Sequence, residues 1–381
     1  MNGRNLRSDL LFYLGMLLIC LPFLKQHTVY VPLVFLGAWG LRRFASFAEG
    51  STAVSGLREG TVRQVVKHRV LLTALLLATG AALPLVSSNY LIDVMTSAIL
   101  YAILASALNI TVGMTGVLVL GFIGFYAVGA YTTGMLTAKF ALCGFWTALP
   151  LSGATAMLFG IMLGIPALRL KGDYLAVVTL GFGEITRIFL NGLTPLTGGP
   201  NGILGIKRPS FGLFTLDSPR AFYWFSLVAL ALVVLVVSRL ANSRYGRAWI
   251  AIRENEMAAG ALGINVFRKH LLSFSLSAFF GGIAGSLFAV KQGFISPDSF
   301  TFYESVLVLC MVVLGGAGNV IGSVTGALLL IVVPEFLREF SLYRMLVFGA
   351  VMIAFMVFRP NGLLGSRLIS QEVQDREDEA E

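Results

Sequence analysis

Charged residues are scarce in this chain of 381 residues. Only 12% of the residues are Asp, Glu, Lys or Arg, and 57% are apolar. Soluble domains average about 25% charged and about 45–50% apolar residues. The shortage of charge excludes a water-soluble enzyme or binding domain and predicts an integral membrane protein.

Alternation of apolar and polar residues is also missing, which excludes a transmembrane β-barrel. A barrel strand alternates over about 10 positions, but residues 227–237 and 328–333 are apolar at every position. The apolar residues instead form blocks near the length, about 20 residues, that a helix needs to cross the hydrocarbon core. We therefore expect an all-α bundle of about 10–12 transmembrane helices. The predicted blocks are approximately 10–24, 29–41, 70–88, 90–111, 117–137, 146–168, 172–194, 221–238, 271–290, 303–314, 320–337 and 341–358.

The basic residues are distributed unevenly between the two sides that these blocks define. Most of the 28 lysines and arginines fall in the inner segments when the N-terminus is placed inside, as the positive-inside rule requires. Membrane topology therefore accounts for the net charge of +9, and we expect membrane lipid and no nucleic acid as a partner. Both termini are predicted to be cytoplasmic.

Residues for catalysis, metal binding and energy conversion are few. The three cysteines lie singly in or beside apolar blocks and the three histidines lie singly at block ends, without CxxC or other ligand spacing, so we expect no metal and no cofactor on this chain. The sequence has no G-x-x-x-x-G-K-[ST] phosphate loop, so ATP hydrolysis is not expected here. An intramembrane enzyme is a rival hypothesis, but no catalytic cluster supports it.

Glu184 is the carboxylate that the hydropathy pattern places deepest in the membrane, and Arg187 follows it on the same helix face. Two opposite charges three residues apart can neutralise each other, whereas an intramembrane carboxylate can also mark a transport pathway. Both interpretations stay open. The alternative function is an ion-coupled secondary transporter of small amino acids or amides, which predicts pH-dependent uptake that Glu184→Gln abolishes.

The longest predicted cytoplasmic connection is 239–270. Its residues 248–259 are good helix formers, and Trp249, Ile252 and Ala259 fall on one stripe, so we expect one amphipathic helix there. Such a helix can insert into a groove on a soluble partner or rest on anionic lipid.

Several motifs, in matching order between about residues 90 and 365, resemble a known family. Glu256-x-Ala258-Ala259-x-x-x-Gly263 resembles the E-A-A-x-x-x-G signature of ABC importer permeases, with one extra residue after the glutamate. The wider set resembles the LivM-type permeases of branched-chain amino acid importers. Its members are Gly113–Gly116, Leu120–Tyr131, Lys171–Ile185, Thr197–Gly202, Leu314–Asn319 and Arg359–Gly365.

The resemblance implies a type II ABC-importer-like permease in the bacterial inner membrane, which helps to form the translocation pathway for leucine, isoleucine and valine. The implied partners are a related second permease, two cytoplasmic ABC ATPases that bind the ATP, and a periplasmic or surface-tethered amino-acid-binding protein. Many family members carry Gln, Ser and His where this chain has Val117, Val119 and Phe122, which leaves the preferred amino acid open. The residues predicted to couple the chain to the ATPases are Arg253, Glu254, Glu256, Ala258, Ala259 and Gly263.

Interruptions of the apolar blocks by glycine and proline predict where the pathway lies. Such interruptions mark discontinuous helices that can line a cavity, although close helix packing also explains glycine in a membrane helix. The candidate pathway residues are Gly121, Gly181, Gly183, Glu184, Gly198, Gly199, Gly315 and Gly316. Close packing is the interpretation of two stripes of small residues, Ser277/Gly281/Gly285 and Gly318/Gly322/Gly326.

The chain divides into three predicted regions. Residues 1–69 form an N-terminal accessory hairpin and a basic cytoplasmic linker, and residues 70–365 form the permease core with its coupling loop at 239–270. Residues 366–381 are acidic and poor in apolar side chains, which is typical of a disordered tail.

Overall fold

A computed structural model of the chain describes residues 88–170, 172–211, 214–215, 218–336, 349 and 362–363. All of them belong to one compact unit, Leu76–Glu381. The predicted N-terminal hairpin and linker, nearly all of the blocks at 70–88 and 341–358, and the acidic tail lie outside the described residues.

Helices make up most of the described part of the chain. In chain order they are α1 (Asn89–Leu108), α2 (Ile123–Gly134), α3 (Phe145–Ala167), α4 (Asp173–Gly192), α5 (Thr194–Thr197), α6 (Pro219–Ala241), α7 (Arg244–Glu254), α8 (Glu256–Ala261), α9 (Val266–Gln292), α10 (Phe302–Gly315) and α11 (Val320–Phe336). Two of them continue as π-helix, α1 over Asn109–Thr115 and α2 over Met135–Lys139.

The described residues also form four two-residue strands. They are β1 (Ile203–Leu204), β2 (Ser210–Phe211), β3 (Phe214–Thr215) and β4 (Phe294–Ile295). The strands pair antiparallel as β1 with β4 and β2 with β3. The first pair ties the segment after α5 to the end of α9.

Polar residues at the block edges explain where several helices begin. Ser88 accepts a hydrogen bond from the backbone amide of Leu91 at the start of α1, and Ser218 and Asn265 cap α6 and α9 in the same way. Each cap satisfies one of the amide groups that a helix leaves without an internal partner.

The described residues include six helices that are long and apolar enough to cross a membrane. They are Asn89–Thr115, Phe145–Ala167, Asp173–Gly192, Pro219–Ala241, Val266–Gln292 and Pro297–Gly315, and the shorter apolar helix Val320–Glu335 follows. The structure therefore confirms a helical membrane bundle. It also places helix in each of the eight blocks predicted between residues 90 and 337.

Helix α9 lies at the centre of the bundle, where it packs on α2, α3 and α1. The Ser277 hydroxyl donates to the Ala107 carbonyl over 2.6 Å. A β-carbon at Gly281 would lie 3.1 Å from the Phe122 ring, and one at Gly285 would overlap the Tyr126 carbonyl oxygen. Since lipid gives no hydrophobic drive for helix association, such close contacts hold the helices together, and the first predicted small-residue stripe is confirmed.

Part of the second stripe forms the contact between α10 and α11. A β-carbon at Gly322 would overlap the carbonyl oxygen of Gly315, and one at Gly326 would overlap that of Met311. These glycines bring the two backbones into van der Waals contact, as the sequence predicted for this stripe.

Candidate functional site

The backbone is not helical between α1 and α2, although hydropathy predicted a helix from residue 117. Gly116 has a φ of 74°, in the left-handed region, and ends the π-helical part of α1; α2 begins only at Ile123. Val119 and Phe122 within this break are buried. The prediction was wrong here because hydropathy reports burial in an apolar environment and not backbone conformation. We call Gly116–Phe122 the central break.

The central break packs directly on α4. A β-carbon at Gly121 would overlap the Thr179 carbonyl oxygen, and one at Gly183 would lie 3.1 Å from the Gly121 α-carbon. The Leu120 amide donates to the Thr179 hydroxyl over 3.1 Å. The structure thus brings together two predicted pathway residues, Gly121 and Gly183, about halfway along α4.

A second hydroxyl supports the end of the central break. The Ser305 side chain on α10 accepts a hydrogen bond from the Ile123 amide over 3.0 Å, and both Ser305 and Thr179 are buried. An unpaired amide would cost several kcal/mol in hydrocarbon, so these hydroxyls permit irregular backbone there. The sequence analysis missed both residues; their only signal was a polar side chain in an apolar block.

Helix α4 is continuous through Gly181 and Gly183, so the predicted helix break at this pair was wrong. Glycine loosens a helix but does not interrupt it when every amide keeps its partner. A β-carbon at Gly181 would meet no atom within 4 Å. The Glu184 carboxylate accepts from Arg187 Nε and Nη2, both over 3.0 Å, with each side chain 33% exposed, which confirms the ion pair.

Gly198 and Gly199 lie at one end of the bundle, beyond α4. Both have positive φ, 80° and 61°; Gly198 ends α5, and Gly199 begins a 3₁₀ turn. The adjacent Gly202 packs so tightly that a β-carbon there would overlap the Ile295 carbonyl oxygen. This end also holds the Lys139 side chain, which donates to the Pro195 carbonyl; we call it the distal end.

Gly315 and Gly316 lie at the opposite end, where α10 finishes. Gly316 has a φ of 107°, and Gly362 packs against it, with a would-be β-carbon 2.5 Å from the Gly316 amide nitrogen. The Leu363 amide donates to the Leu314 carbonyl over 2.8 Å. Two of the family-like motifs therefore meet here, but the candidate pathway residues occupy three separate places and not one site.

The coupling loop contains two helices, whereas the sequence predicted one. Asn255 interrupts them with an extended backbone (φ −156°, ψ 107°). Its side chain accepts a hydrogen bond from the Ala258 amide over 3.0 Å, so Asn255 ends α7 and caps α8. Residues 248–259 are good helix formers, but this capping side chain offers an alternative to continuing the helix.

The predicted apolar stripe of the loop is buried, which confirms its orientation. Trp249 and Ile252 are buried, and Ala259 is only 2% exposed. The indole nitrogen of Trp249 donates to the Lys269 carbonyl over 2.9 Å. Trp249 therefore holds α7 on α9, and Ala259 offers no surface to a partner.

The opposite face of the loop is exposed and partly apolar. Glu254, Glu256, Ala258 and Gly263 are exposed, as are the large apolar side chains of Met257 and Leu262, at 83% and 81%. We call these six residues the coupling surface. Sequence reasoning missed Met257 and Leu262, although they interrupt an otherwise polar or small-residue run. Arg253 is exposed as well, but its guanidinium turns back to the Gly113 carbonyl over 2.5 Å.

Comparison with known proteins identifies a matching family and several relatives of this chain. The model of a family described as branched-chain amino acid transport system / permease component matches residues 90–356. The high-affinity branched-chain amino acid transport system permease protein LivM of Escherichia coli strain K12 is 45% identical over 346 residues, 84% of this chain and 81% of that protein. Its Salmonella typhimurium counterpart is 48% identical over 322 residues, 78% and 75% of the two chains. A probable LivM of Methanocaldococcus jannaschii is 25% identical, covering 71% of this chain and 92% of that one.

Proposed function

Because this chain belongs to the family of branched-chain amino acid transport system permease components, we propose that it is the membrane-spanning permease subunit of an ATP-driven importer for leucine, isoleucine and valine. The observation that carries the proposal is 45–48% identity to two LivM permeases over at least three quarters of each protein. The six apolar helices long enough to span a membrane agree with a multi-pass location.

Energy for transport must come from outside this chain. The sequence has no phosphate loop, so we assign ATP binding and hydrolysis to two separate cytoplasmic ATPase subunits. A related second permease completes the membrane part, and a periplasmic or surface-tethered binding protein delivers the amino acid. These partners, and the bacterial inner membrane as location, are part of the proposal.

The coupling surface is the part of this chain that we propose to contact an ATPase. Exposed Met257 and Leu262 give it two apolar anchors, and Glu254 and Glu256 give it negative charge. A short helix with apolar anchors is suited to a groove on a soluble partner. Its buried stripe, with Trp249 and Ala259, fixes α7 and α8 on the bundle, so a push on the surface reaches the membrane helices.

The central break is the part that we propose to lie beside the translocation pathway. Irregular backbone at membrane depth is stable only where protein covers it or a cavity adjoins it, and discontinuous helices frequently form transport sites. Gly121 and Gly183 are therefore the stronger pathway candidates. Gly198–Gly199 and Gly315–Gly316 lie at the two opposite ends of the bundle. We propose that these pairs act as hinges at the ends of helices that move during transport.

Reconstitution tests the function. Proteoliposomes that contain this chain, the second permease and the ATPases should take up radiolabelled leucine only with ATP and the binding protein present. A protonophore should leave that uptake unchanged, because no ion gradient drives it. Met257→Glu with Leu262→Glu should abolish uptake by removing both apolar anchors, and Met257→Leu with Leu262→Met, which keeps them at the same two positions, is the matched control. Uptake by this chain alone, driven by a proton gradient, would refute the importer and support the secondary transporter.

A further inference from the structure

Arg253 connects the coupling loop to the end of a membrane helix. It lies in the last turn of α7, and its Nη1 donates to the Gly113 carbonyl over 2.5 Å. Gly113 belongs to the π-helical end of α1, Asn109–Thr115. The last carbonyls of a helix have no donor within it, and they carry the negative end of the helix dipole. A guanidinium is therefore well suited to bind there.

Two glycines make room for the Arg253 side chain. A β-carbon at Gly116 would lie 3.1 Å from Arg253 Cγ, and one at Gly318 would lie 3.0 Å from its Nη1. Both glycines have positive φ, 74° and 93°. Gly116 begins the central break, and Gly318 lies in the turn between α10 and α11. Arg253 thus lies against two different parts of the membrane bundle, the end of α1 and the turn between α10 and α11. Both are at the end of the bundle opposite the distal end, which we call the inner end.

Asn109 joins those two parts into one unit. Its side-chain oxygen accepts a hydrogen bond from the Gly318 amide over 2.8 Å, and the residue is completely buried. Gly113 packs on the same turn so closely that a β-carbon would overlap the Gly318 amide nitrogen. We call this contact between Asn109–Gly116 and Gly315–Asn319 the inner junction. Because the two segments pack backbone on backbone, we expect a force on one to displace the other.

We propose that Arg253 is the positioning residue that transmits movement of the coupling surface to the inner junction, and through Gly116 to the central break. The proposal rests on the proposed function, since an ATPase must move the surface. Arg253 lies one residue from Glu254 and three from Glu256 on that surface, while its guanidinium holds the junction. The movement then passes along the chain from Gly116 to Gly121, which contacts Thr179 about halfway along α4.

Coupling efficiency measures this role. In proteoliposomes holding the complete complex, leucine imported per ATP hydrolysed should fall about ten-fold for Arg253→Ala, the effect expected when a hydrogen bond to a charged group is lost. The ATPases should still co-purify and hydrolyse ATP, because the coupling surface is intact. Arg253→Lys, which keeps a charged donor, should restore part of the ratio. Arg169→Ala, an exposed arginine on another loop, should match the wild-type chain.

A double-mutant cycle separates transmission from general damage. Gly116→Ala should lower the ratio by itself, since the three atoms nearest to its β-carbon all belong to Arg253, and the strain of its φ of 74° is common to both backgrounds. When combined with Arg253→Ala, it should lower the ratio much less than the two separate losses predict, because the contact that it disturbs is already gone. Three results would each overturn the inference and leave the proposed function standing. They are a normal ratio of leucine to ATP for Arg253→Ala, additive losses in the cycle, and loss of the ATPases from the Arg253→Ala complex. Failure of the wild-type chain to bind ATPases would overturn both.

Discussion

Gly121 and Gly181 were both predicted as pathway residues, but the structure gives them opposite tolerance to a side chain. A β-carbon at Gly121 would overlap the Thr179 carbonyl oxygen, whereas one at Gly181 would meet no atom within 4 Å. We expect Gly121→Ala to lower the free energy of unfolding by about 1–3 kcal/mol, the usual cost of overpacking. Gly181→Ala should leave it unchanged or raise it by up to about 1 kcal/mol, because alanine favours helix over glycine.

Thermal unfolding of the purified variants in detergent checks this pair. Since both substitutions add one methyl group to neighbouring membrane segments, a general effect of detergent or expression should affect them equally. Equal melting temperatures, or a lower one for Gly181→Ala, would contradict the packing of the central break on α4.

Single residues were the hardest features to predict from the sequence. The Glu184–Arg187 pair was found because spacing on one helix decides it. Thr179, Ser305 and Asn109 were missed, since each acts through a backbone group 59 to 209 positions away in the chain. No local pattern reports a partner at that separation.

At the scale of elements, Asn255 decides whether the coupling loop holds one helix or two. Its side chain accepts from the Ala258 amide over 3.0 Å, and an N-cap of this kind contributes about 1 kcal/mol. We expect Asn255→Ala to raise the hydrogen-exchange rate of the amides of 258–261 about five-fold, because the Ala258 amide loses its acceptor and the helix that follows loses its cap. Asn255→Asp keeps the accepting oxygen and should exchange like the wild-type chain. Unchanged protection in Asn255→Ala would mean that the cap does not hold α8.

The helices themselves were largely predictable, and the breaks between them were not. Block length and hydropathy located the spans near α3, α6 and α11 within a few residues, because the membrane imposes a length on any helix that crosses it. The central break and the division at Asn255 depend instead on hydrogen bonds and glycine conformations, which hydropathy does not measure. This is why the predicted break at Gly181–Gly183 was misplaced onto the helix that packs against the real one.

For the whole molecule, the charge pattern and the fold together predict which end faces the cytoplasm. The coupling surface lies at the end that contains Arg244, Arg247 and Arg268, and the positive-inside rule places such an end in the cytoplasm. Cys143 follows Lys139 at the distal end and is partly exposed. The fold thus supplies a natural thiol on one side and an exposed position, Met257, on the other.

Thiol labelling tests this orientation. In a Cys20→Ser, Cys310→Ser background, a membrane-impermeant maleimide should label Cys143 in intact cells. When Cys143→Ser and Met257→Cys are added, labelling should require permeabilised membranes, because the 83% exposed Met257 position then faces the cytoplasm. The reverse pattern would place the coupling surface outside the cell, where no ATPase could reach it. The importer proposal and the role of Arg253 would then fail together, since both need ATP-driven force on that surface.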